Sequence, residues 1–427
     1  MFYTRKCGEI EESDFGSEQT LCGWLQDTRN LGGIAFLQLR DITGVIQLTL
    51  IKNKLGDENF KSWANINRES IILVRGIVKG NKEAPGGVEM LPDNIELMNE
   101  AETPLPLGVI DKIDSEIETR LNARYLDLRK TEIAANFQIR AAISGAVHKH
   151  LRRENFLEVQ TPKIIASATE GGTSLFEMKY FDKTAYLAQS PQLYKQMLMS
   201  GGLERVYEVG PAFRAEEHNT PRHLNEFISI DIEMSFANDD VVMGVMERLV
   251  ATAARAVSKE TKALKTLGIE PIEVELPLPR ITYDEAVEMA QGKVEWGEDL
   301  SMEATRAIAK QMNGFYFITK WPLSLKPFYI QPDDDSKYSK GFDFMYNEIE
   351  MTSGGQRVHD VNLLRERLKE QGLDPEGFNH YLDPFRYGMP PHAGWGLGLD
   401  RLAMIFSGAK NVRECVLFPR DRNRLTP

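Results

Sequence analysis

A chain of 427 residues, 42% hydrophobic and 27% charged, is long enough for two or three domains and too polar to span a membrane. No window approaches about eighteen uninterrupted apolar residues, and the first nine residues carry Arg5 and Lys6 with no apolar run behind them, so neither a membrane segment nor a secretory leader is expected and the protein is read as cytoplasmic. The formal charge of -12 argues against binding phosphate over the whole surface, yet a local basic or aromatic face on one domain can still meet RNA.

Cys7, Cys22 and Cys415 are odd in number and widely spaced. That pattern fits neither a disulfide framework nor a Cys-x-x-Cys metal site, and buried thiols are expected.

The first hundred residues read as short strands. Residues 34–41 alternate, with Ala35, Leu37 and Leu39 on one side and Phe36, Gln38 and Arg40 on the other, as a half-buried strand requires. Residues 45–50 alternate likewise, turning Ile46, Leu48 and Leu50 inward and Gln47 and Thr49 outward. Residues 71–78 are apolar throughout, and Val88 and Met90 flank Glu89. Short strands separated by Gly- and Asp-containing turns suggest a five-stranded β-barrel of the oligonucleotide-binding type. Pro104 and Pro106 then end the pattern, because closely spaced prolines stiffen the chain and exclude a helix. The expected organisation is a barrel over 1–103, a hinge over 104–130 and a larger α+β domain over 131–427. In that domain Ile139, Ile143, Val147 and Leu151 recur at spacing four, one face of an amphipathic helix.

Residues 206–236 read as a hairpin. Arg214 and Glu216, two apart, fall on one face if the strand continues through them. The returning strand alternates Ile228, Ile230, Ile232, Met234 and Phe236 against Ser229, Asp231, Glu233 and Ser235. Its bland reading is an amphipathic hairpin with a solvated, salt-bridged face. Further on, Gly394-Trp-Gly-Leu-Gly-Leu-Asp-Arg401 lets backbone approach a ligand and then supplies a guanidinium on the following helix.

Together these segments resemble the signature motifs of class II aminoacyl-tRNA synthetases. Phe213-Arg-Ala-Glu216 matches motif two, Gly396 to Arg401 matches motif three, and residues 137–162 match the helix and strand of motif one. Gln189-Ser-Pro-Gln-Leu-Tyr-Lys-Gln196, Ser353-Gly-Gly-Gln-Arg357 and residues 418–427 narrow the resemblance to the aspartyl branch in its archaeal form, where asparaginyl enzymes carry an acidic residue in place of Lys195.

The resemblance implies a catalytic domain built on an antiparallel sheet flanked by helices, a homodimer formed through motif one, and L-aspartate, ATP, Mg2+ and tRNA(Asp) as ligands. It implies that Lys195 and Arg357 hold the aspartate side chain, since a buried anion needs fixed positive charge and arginine can grip a carboxylate through two hydrogen bonds. Glu170, Gln192 and Asp231 would surround the substrate ammonium, with Ser353 beside them. Arg214 would meet the α-phosphate, Glu216 and Phe227 the adenine, and His223 and Arg401 the phosphates. Asp343 and Glu350 would hold magnesium, Glu350 also serving ATP. In the barrel, Arg29, Phe36, Gln47 and Glu89 would meet anticodon bases by stacking and by edge hydrogen bonds. Gln26 and Pro85 point to a preference for tRNA(Asp) over tRNA(Asn). The rival readings are an enzyme that charges both tRNAs, an asparaginyl-type ligase on the same fold, and a non-catalytic RNA-binding paralogue.

Overall fold

Strict alternation closes the first part of the chain into a barrel. In the computed structural model, which describes residues 2–110, 115–166, 175–217 and 220–427, the strands are β1 (Glu18–Asn30), β2 (Ile34–Arg40), β3 (Val45–Ile51), β4 (Ile71–Gly80) and β5 (Val88–Asn99). They join in the closed order β1-β2-β3-β5-β4. Ala35, Leu37, Leu39, Ile46, Leu48 and Leu50 are buried at 1% exposure or less, so the inward parity read from the sequence is the observed one. The long first strand escaped that reading because a bulge between Leu25 and Asp27 breaks its alternation. Cys7 is buried, but Cys22 is half-exposed, contrary to expectation, with its Sγ 3.6 Å from Met98 Sδ.

The chain divides into two units, Met1–Ser115 and Glu116–Pro427, so the expected hinge splits at its middle. Residues 117–127 are largely helical and belong to the second unit. Arg124, 1% exposed, donates to the carbonyls of Arg413 (3.3 Å), Glu414 (3.2 Å), Val416 (3.0 Å) and Leu417 (3.1 Å) and pairs with Asp127 at 2.7 Å. A buried arginine with that many partners anchors packed chain, not a free linker.

The remaining strands in chain order are β6 (Leu157–Glu158), β7 (Ile164–Ile165), β8 (Glu177–Tyr180), β9 (Lys183–Leu187), β10 (Arg205–Phe213), β11 (Glu226–Ser235), β12 (Arg280–Thr282), β13 (Phe315–Thr319), β14 (Gly341–Tyr346), β15 (Ile349–Gln356) and β16 (His392–Gly398). Eight of them form one sheet, ordered β12-β13-β14-β15-β16-β11-β10-β6. Its six central strands are antiparallel, while β12 and β6 join the edges in parallel. β7, β8 and β9 make a separate small sheet.

The helices Thr131–Arg153 and Asp239–Val257 share a core with this sheet. Ile139, Ile143, Val147 and Leu151 are all 1% exposed or less, as spacing four requires of one buried stripe. Trp395 lies beneath, 0% exposed, donating its indole N–H to the Val242 carbonyl at 2.9 Å.

Two details of the hairpin differ from the expectation. β10 ends at Phe213, so Arg214 and Glu216 sit in the loop beyond the strand. β11 ends at Ser235, and Phe236 turns outward at 74% exposure with φ 55°. The strand's polar face is covered, which sets aside the bland alternative of a solvated face: Asp231 and Glu233 are 3% and 0% exposed.

Truncating Ile143 to alanine removes buried apolar volume where helix meets sheet, and denaturant unfolding of the Ile143→Ala protein is expected to show a loss of about 2–5 kcal/mol.

Candidate active site

The pairing of β11 with β16 explains why this cleft needs glycines. Ser229 lies opposite Gly398, Asp231 opposite Gly396 and Glu233 opposite Gly394. Each polar side chain therefore faces a strand position with no Cβ. A methyl at 396 would stand 2.7 Å from Asp231 Oδ1, and one at 394 would run into the Ile232 carbonyl and the Glu233 carboxylate. The glycine-rich run thus makes room for carboxylates of its own protein.

Those carboxylates belong to a buried network of four charges. Lys195, on the helix Gln192–Ser200, donates to Asp231 Oδ1 at 3.0 Å and to the Trp395 carbonyl at 3.1 Å, with Glu233 Oε2 at 3.6 Å. Arg357 grips Glu233 from the other side, Nε at 3.0 Å and Nη2 at 3.4 Å. Both cations are 2% exposed. Lys195 and Arg357 do share one carboxylate, and it is Glu233. Two positive and two negative groups meet here, so both cations expected at the substrate side chain are also paired with carboxylates of the protein. The Tyr329 ring packs against the guanidinium, its centroid 5.5 Å from Cζ.

A cleft of about 470 Å³ opens above this network. Gln192, Asp231, Ser353 and Arg357 line one end; Lys195 stands behind Asp231, outside the lining. The Gln192 amide nitrogen is buried and has no hydrogen-bond partner among the described residues. Glu170 lies outside the described residues.

Arg214, Glu216, His223, Phe227, Asp343, Glu350 and Arg401 also line the cleft. The Arg214 guanidinium carbon lies 5.3 Å from the Phe227 ring centroid. Asn225 donates to the carbonyls of Arg214 (2.7 Å) and Glu216 (3.1 Å), which fixes the loop that carries both side chains. His223 Nε2 is 3.7 Å from Glu216 Oε2. Arg401, on the helix Leu399–Ser407, donates to the Glu350 carbonyl at 2.6 Å. Asp400 beside it accepts from Arg140 at 2.7 Å and from the Ile228 backbone N–H at 2.8 Å, tying motif three to the long helix and to β11.

Asp343 and Glu350 sit together on the cleft wall. The Glu350 carboxyl is pushed above the usual carboxylate range, first by the protein packed around it and second by the charge of Asp343. Such a pair suits a hard divalent cation. Among the described residues no group of three or more His, Cys, Asp or Glu side chains is arranged to hold a metal, so any cation here would complete its shell with other ligands.

In the barrel, cross-strand register puts Arg29 opposite Phe36, Phe36 opposite Thr49, and Gln47 opposite Glu89. All four candidate anticodon residues share one outer face. Gln47 and Glu89 are nonetheless only 9% and 4% exposed. Glu89 accepts from Thr49 (2.6 Å), Gln47 (3.1 Å) and Lys79 (3.0 Å). Burial alone would raise this carboxyl, but these hydrogen bonds and one from Asn81 outweigh it and hold it at about 2.

Comparison with known proteins gives these geometries a context. The family described as tRNA synthetases class II (D, K and N) matches residues 116–422, and an OB-fold nucleic acid binding domain matches residues 19–98. The chain belongs to the class II tRNA synthetases. It is 52% identical over 419 residues to an Archaeoglobus fulgidus protein named aspartate--tRNA(Asp/Asn) ligase, covering 96% of this chain and 97% of that one. A Methanocaldococcus jannaschii protein of the same name is 50% identical over 432 residues, 99% and 98% of the two chains. Among solved structures, asparaginyl-tRNA synthetase from Pyrococcus horikoshii with asparaginyl-adenylate matches all of both chains at 33% identity and a TM-score of 0.94. Aspartyl tRNA synthetase from Entamoeba histolytica matches at 33% identity and a TM-score of 0.86, over 97% of this chain and 91% of that one.

This synthetase is therefore an ATP-dependent tRNA ligase. Sequence reasoning missed Glu233 as a site residue although its parity with Asp231 was visible. It also missed Lys326, for which no pattern gave a signal, and gave no role to Asp400 although the motif-three run contains it.

One buried base beneath the network carries a pH signature. His392, 0% exposed, donates from Nδ1 to the Pro390 carbonyl at 2.8 Å, and burial depresses it to about 4. The unfolded chain, with an ordinary histidine, binds more protons than the folded one between about pH 4 and 6.5. This group's contribution is therefore full above pH 6.5 and is lost as pH falls toward 4, by up to about 3 kcal/mol. Denaturant unfolding of His392→Asn across that window is expected to show a shallower acid loss than the parent chain.

Proposed function

We propose that this synthetase activates L-aspartate with ATP to aspartyl-adenylate and transfers the aspartyl group to the 3' end of tRNA(Asp). One observation carries the amino-acid choice. Glu233 takes the Nε edge of Arg357 in a two-point grip, while Arg357 also lines the cleft. Arginine has five N–H donors in a planar fork, so the guanidinium edge turned from Glu233 is available to a second carboxylate. An asparagine side chain would bring an amide N–H toward those donors and leave polar groups unpaired in a dry site.

On this reading Arg357 meets the substrate's side-chain carboxylate, with Lys195 adding charge from behind Asp231. Asp231, Gln192 and Ser353 face the ammonium end, and Glu170 belongs to the same set. The α-carboxylate attacks the α-phosphorus of ATP and pyrophosphate leaves. Arg214 neutralises charge as it grows on the α-phosphate, and Arg401 and His223 meet the outer phosphates. Phe227 and Glu216 hold adenine, by stacking and by hydrogen bonding. Asp343 and Glu350 would hold Mg2+, which when bound neutralises charge across the phosphates. No protein nucleophile is needed: catalysis comes from alignment and fixed charge. A homodimer through the motif-one helix Thr131–Arg153 and β6, and a cytoplasmic location, belong to the same proposal. In the barrel, Arg29, Phe36, Gln47 and Glu89 read the anticodon. Gln47 and Glu89 must open toward a base to do so, since both lie covered in the free chain.

Pyrophosphate exchange should depend on aspartate and not on asparagine. Arg357→Met should lower kcat/KM for aspartate by about 10- to 100-fold, the scale of a charged hydrogen-bonding group. Exchange supported by asparagine instead would overturn the choice, and exchange with neither would favour a non-catalytic RNA-binding protein.

A second reading, charging of tRNA(Asn) as well, is favoured by the (Asp/Asn) names of the archaeal relatives. It stands against the strict preference read from Gln26 and Pro85. Gln26 is held by Arg40 and Gln38, each at 3.3 Å, and Pro85 is exposed. With both transcripts in one aminoacylation assay, the relatives' names lead to comparable charging of the two, whereas a strict enzyme charges tRNA(Asp) alone.

A further inference from the structure

Lys326 has no role in the reading above, yet it is built into the cleft wall. It is 8% exposed and lines the cleft. Its ammonium donates to Asp343 Oδ1 at 2.7 Å and lies 4.1 Å from the centroid of the Trp321 ring. A carboxylate on one side and an indole face on the other form a cage that holds a cation in place. Lys326 thus occupies one oxygen of the acidic pair that would bind the metal. Glu350, the other member, is open to the cleft and accepts from Ser353 Oγ at 3.1 Å.

We propose that Lys326 is a resident cation of this cleft. It cancels one charge of the Asp343–Glu350 pair, so the pair alone holds a divalent ion weakly and retains one only when the phosphates of the nucleotide supply further oxygens. This rests on the ATP and Mg2+ reading for its biological sense, but not for its measurement. The physical argument is short. Two like charges in a partly enclosed site attract a hard cation strongly, and an ammonium fixed within hydrogen-bond distance of one of them removes much of that attraction. A magnesium-type ion prefers substrate phosphates plus one or two carboxylates to an all-protein cage, which agrees with a half-neutralised pair.

The test titrates the free, full-length protein with Mn2+ alone at pH 8, reading unbound Mn2+ by electron paramagnetic resonance. ATP is omitted throughout, so failure of the exchange assay is a separate result. Lys326→Met, which keeps the stem against Trp321 and loses the charge, is expected to bind one Mn2+ about tenfold or more tighter than the parent. Lys326→Arg, which keeps the charge, is expected to bind as weakly as the parent. Asp343→Asn added to Lys326→Met should abolish the gain, which places the new ion on this pair. Equal affinity in the parent and Lys326→Met overturns the proposal. So does tighter binding in Lys326→Arg, because cavity shape rather than charge would then be responsible. Thermal unfolding of each variant checks that folded proteins are being compared.

Discussion

Glu233 is the group on which the buried ion network of this cleft depends. It is 0% exposed, and burying a charged group is costly unless it is paired and hydrogen-bonded. Lys195 and Arg357 supply them, and Asp231 engages the remaining capacity of Lys195. A buried ion network of this kind is weak evidence for stability, since apolar replacements of equal volume often fold as well or better. What it does supply is a fixed orientation. Arg357 is held by its side chain on Glu233 and by its backbone N–H on the His392 carbonyl at 2.8 Å, so its free edge points one way before any ligand arrives. Preorganised donors avoid reorganisation cost when charge must be met, which is the main resource of an enzyme without a protein nucleophile.

The same constraint explains the sheet. Placing two carboxylates on successive polar-face positions of a central strand demands space on the neighbouring strand, and Gly394 and Gly396 supply it in register. β15 answers on the other side of β16, with Gly354 opposite Trp395 and Gly355 opposite Gly394. A Cβ on Gly354 would meet the Phe342 ring and lie 2.8 Å from Trp395 Cβ. Glycine usually weakens a strand interior. Here the apolar opposite face compensates, with Ile230, Ile232, Trp395 and Leu397 all fully buried.

The legible parts of the sequence were those with a period. Spacing two located β2, β3 and β11, and spacing four located the long helix with its buried stripe. Motifs located the cleft: the candidate residues of the catalytic unit that the structure describes line it, except Lys195, one layer behind. The unread parts were matters of partnership. Alternation put Asp231 and Glu233 on one face but could not say whether water or Lys195 and Arg357 covered it, because both cations come from elements far along the chain. Lys326 sits in an irregular stretch between β13 and β14, where only the folded path brings it to Asp343. The end of β10 before Arg214 was unreadable because the Arg214 carbonyl is taken by the Asn225 side chain, while its N–H still donates to the Asn225 carbonyl.

These partnerships also divide the cleft into two regimes. At the amino-acid end each charge has a buried partner, and the side chains are fixed by strands and by one helix. At the proposed nucleotide end Arg214, Glu216 and His223 ride on a loop that the segment 412–422 supports: Val412 N–H donates to the Pro221 carbonyl at 2.8 Å, Asn225 N–H to the Arg420 carbonyl at 2.9 Å, Arg413 to the Thr220 carbonyl at 3.1 Å and Arg422 to the Glu217 carbonyl at 3.0 Å. Arg413 is fixed in turn by Asp421 at 2.6 Å. A rigid socket discriminates between side chains that differ by one amide, because unpaired polar groups cost most where nothing can relax. The loop of the proposed nucleotide end is tied instead to backbone carbonyls and to the segment 412–422. On the proposed reading the two ends are therefore held by different means, by ion pairs on the buried Asp231 and Glu233 at the amino-acid end and by hydrogen bonds to loop carbonyls at the nucleotide end.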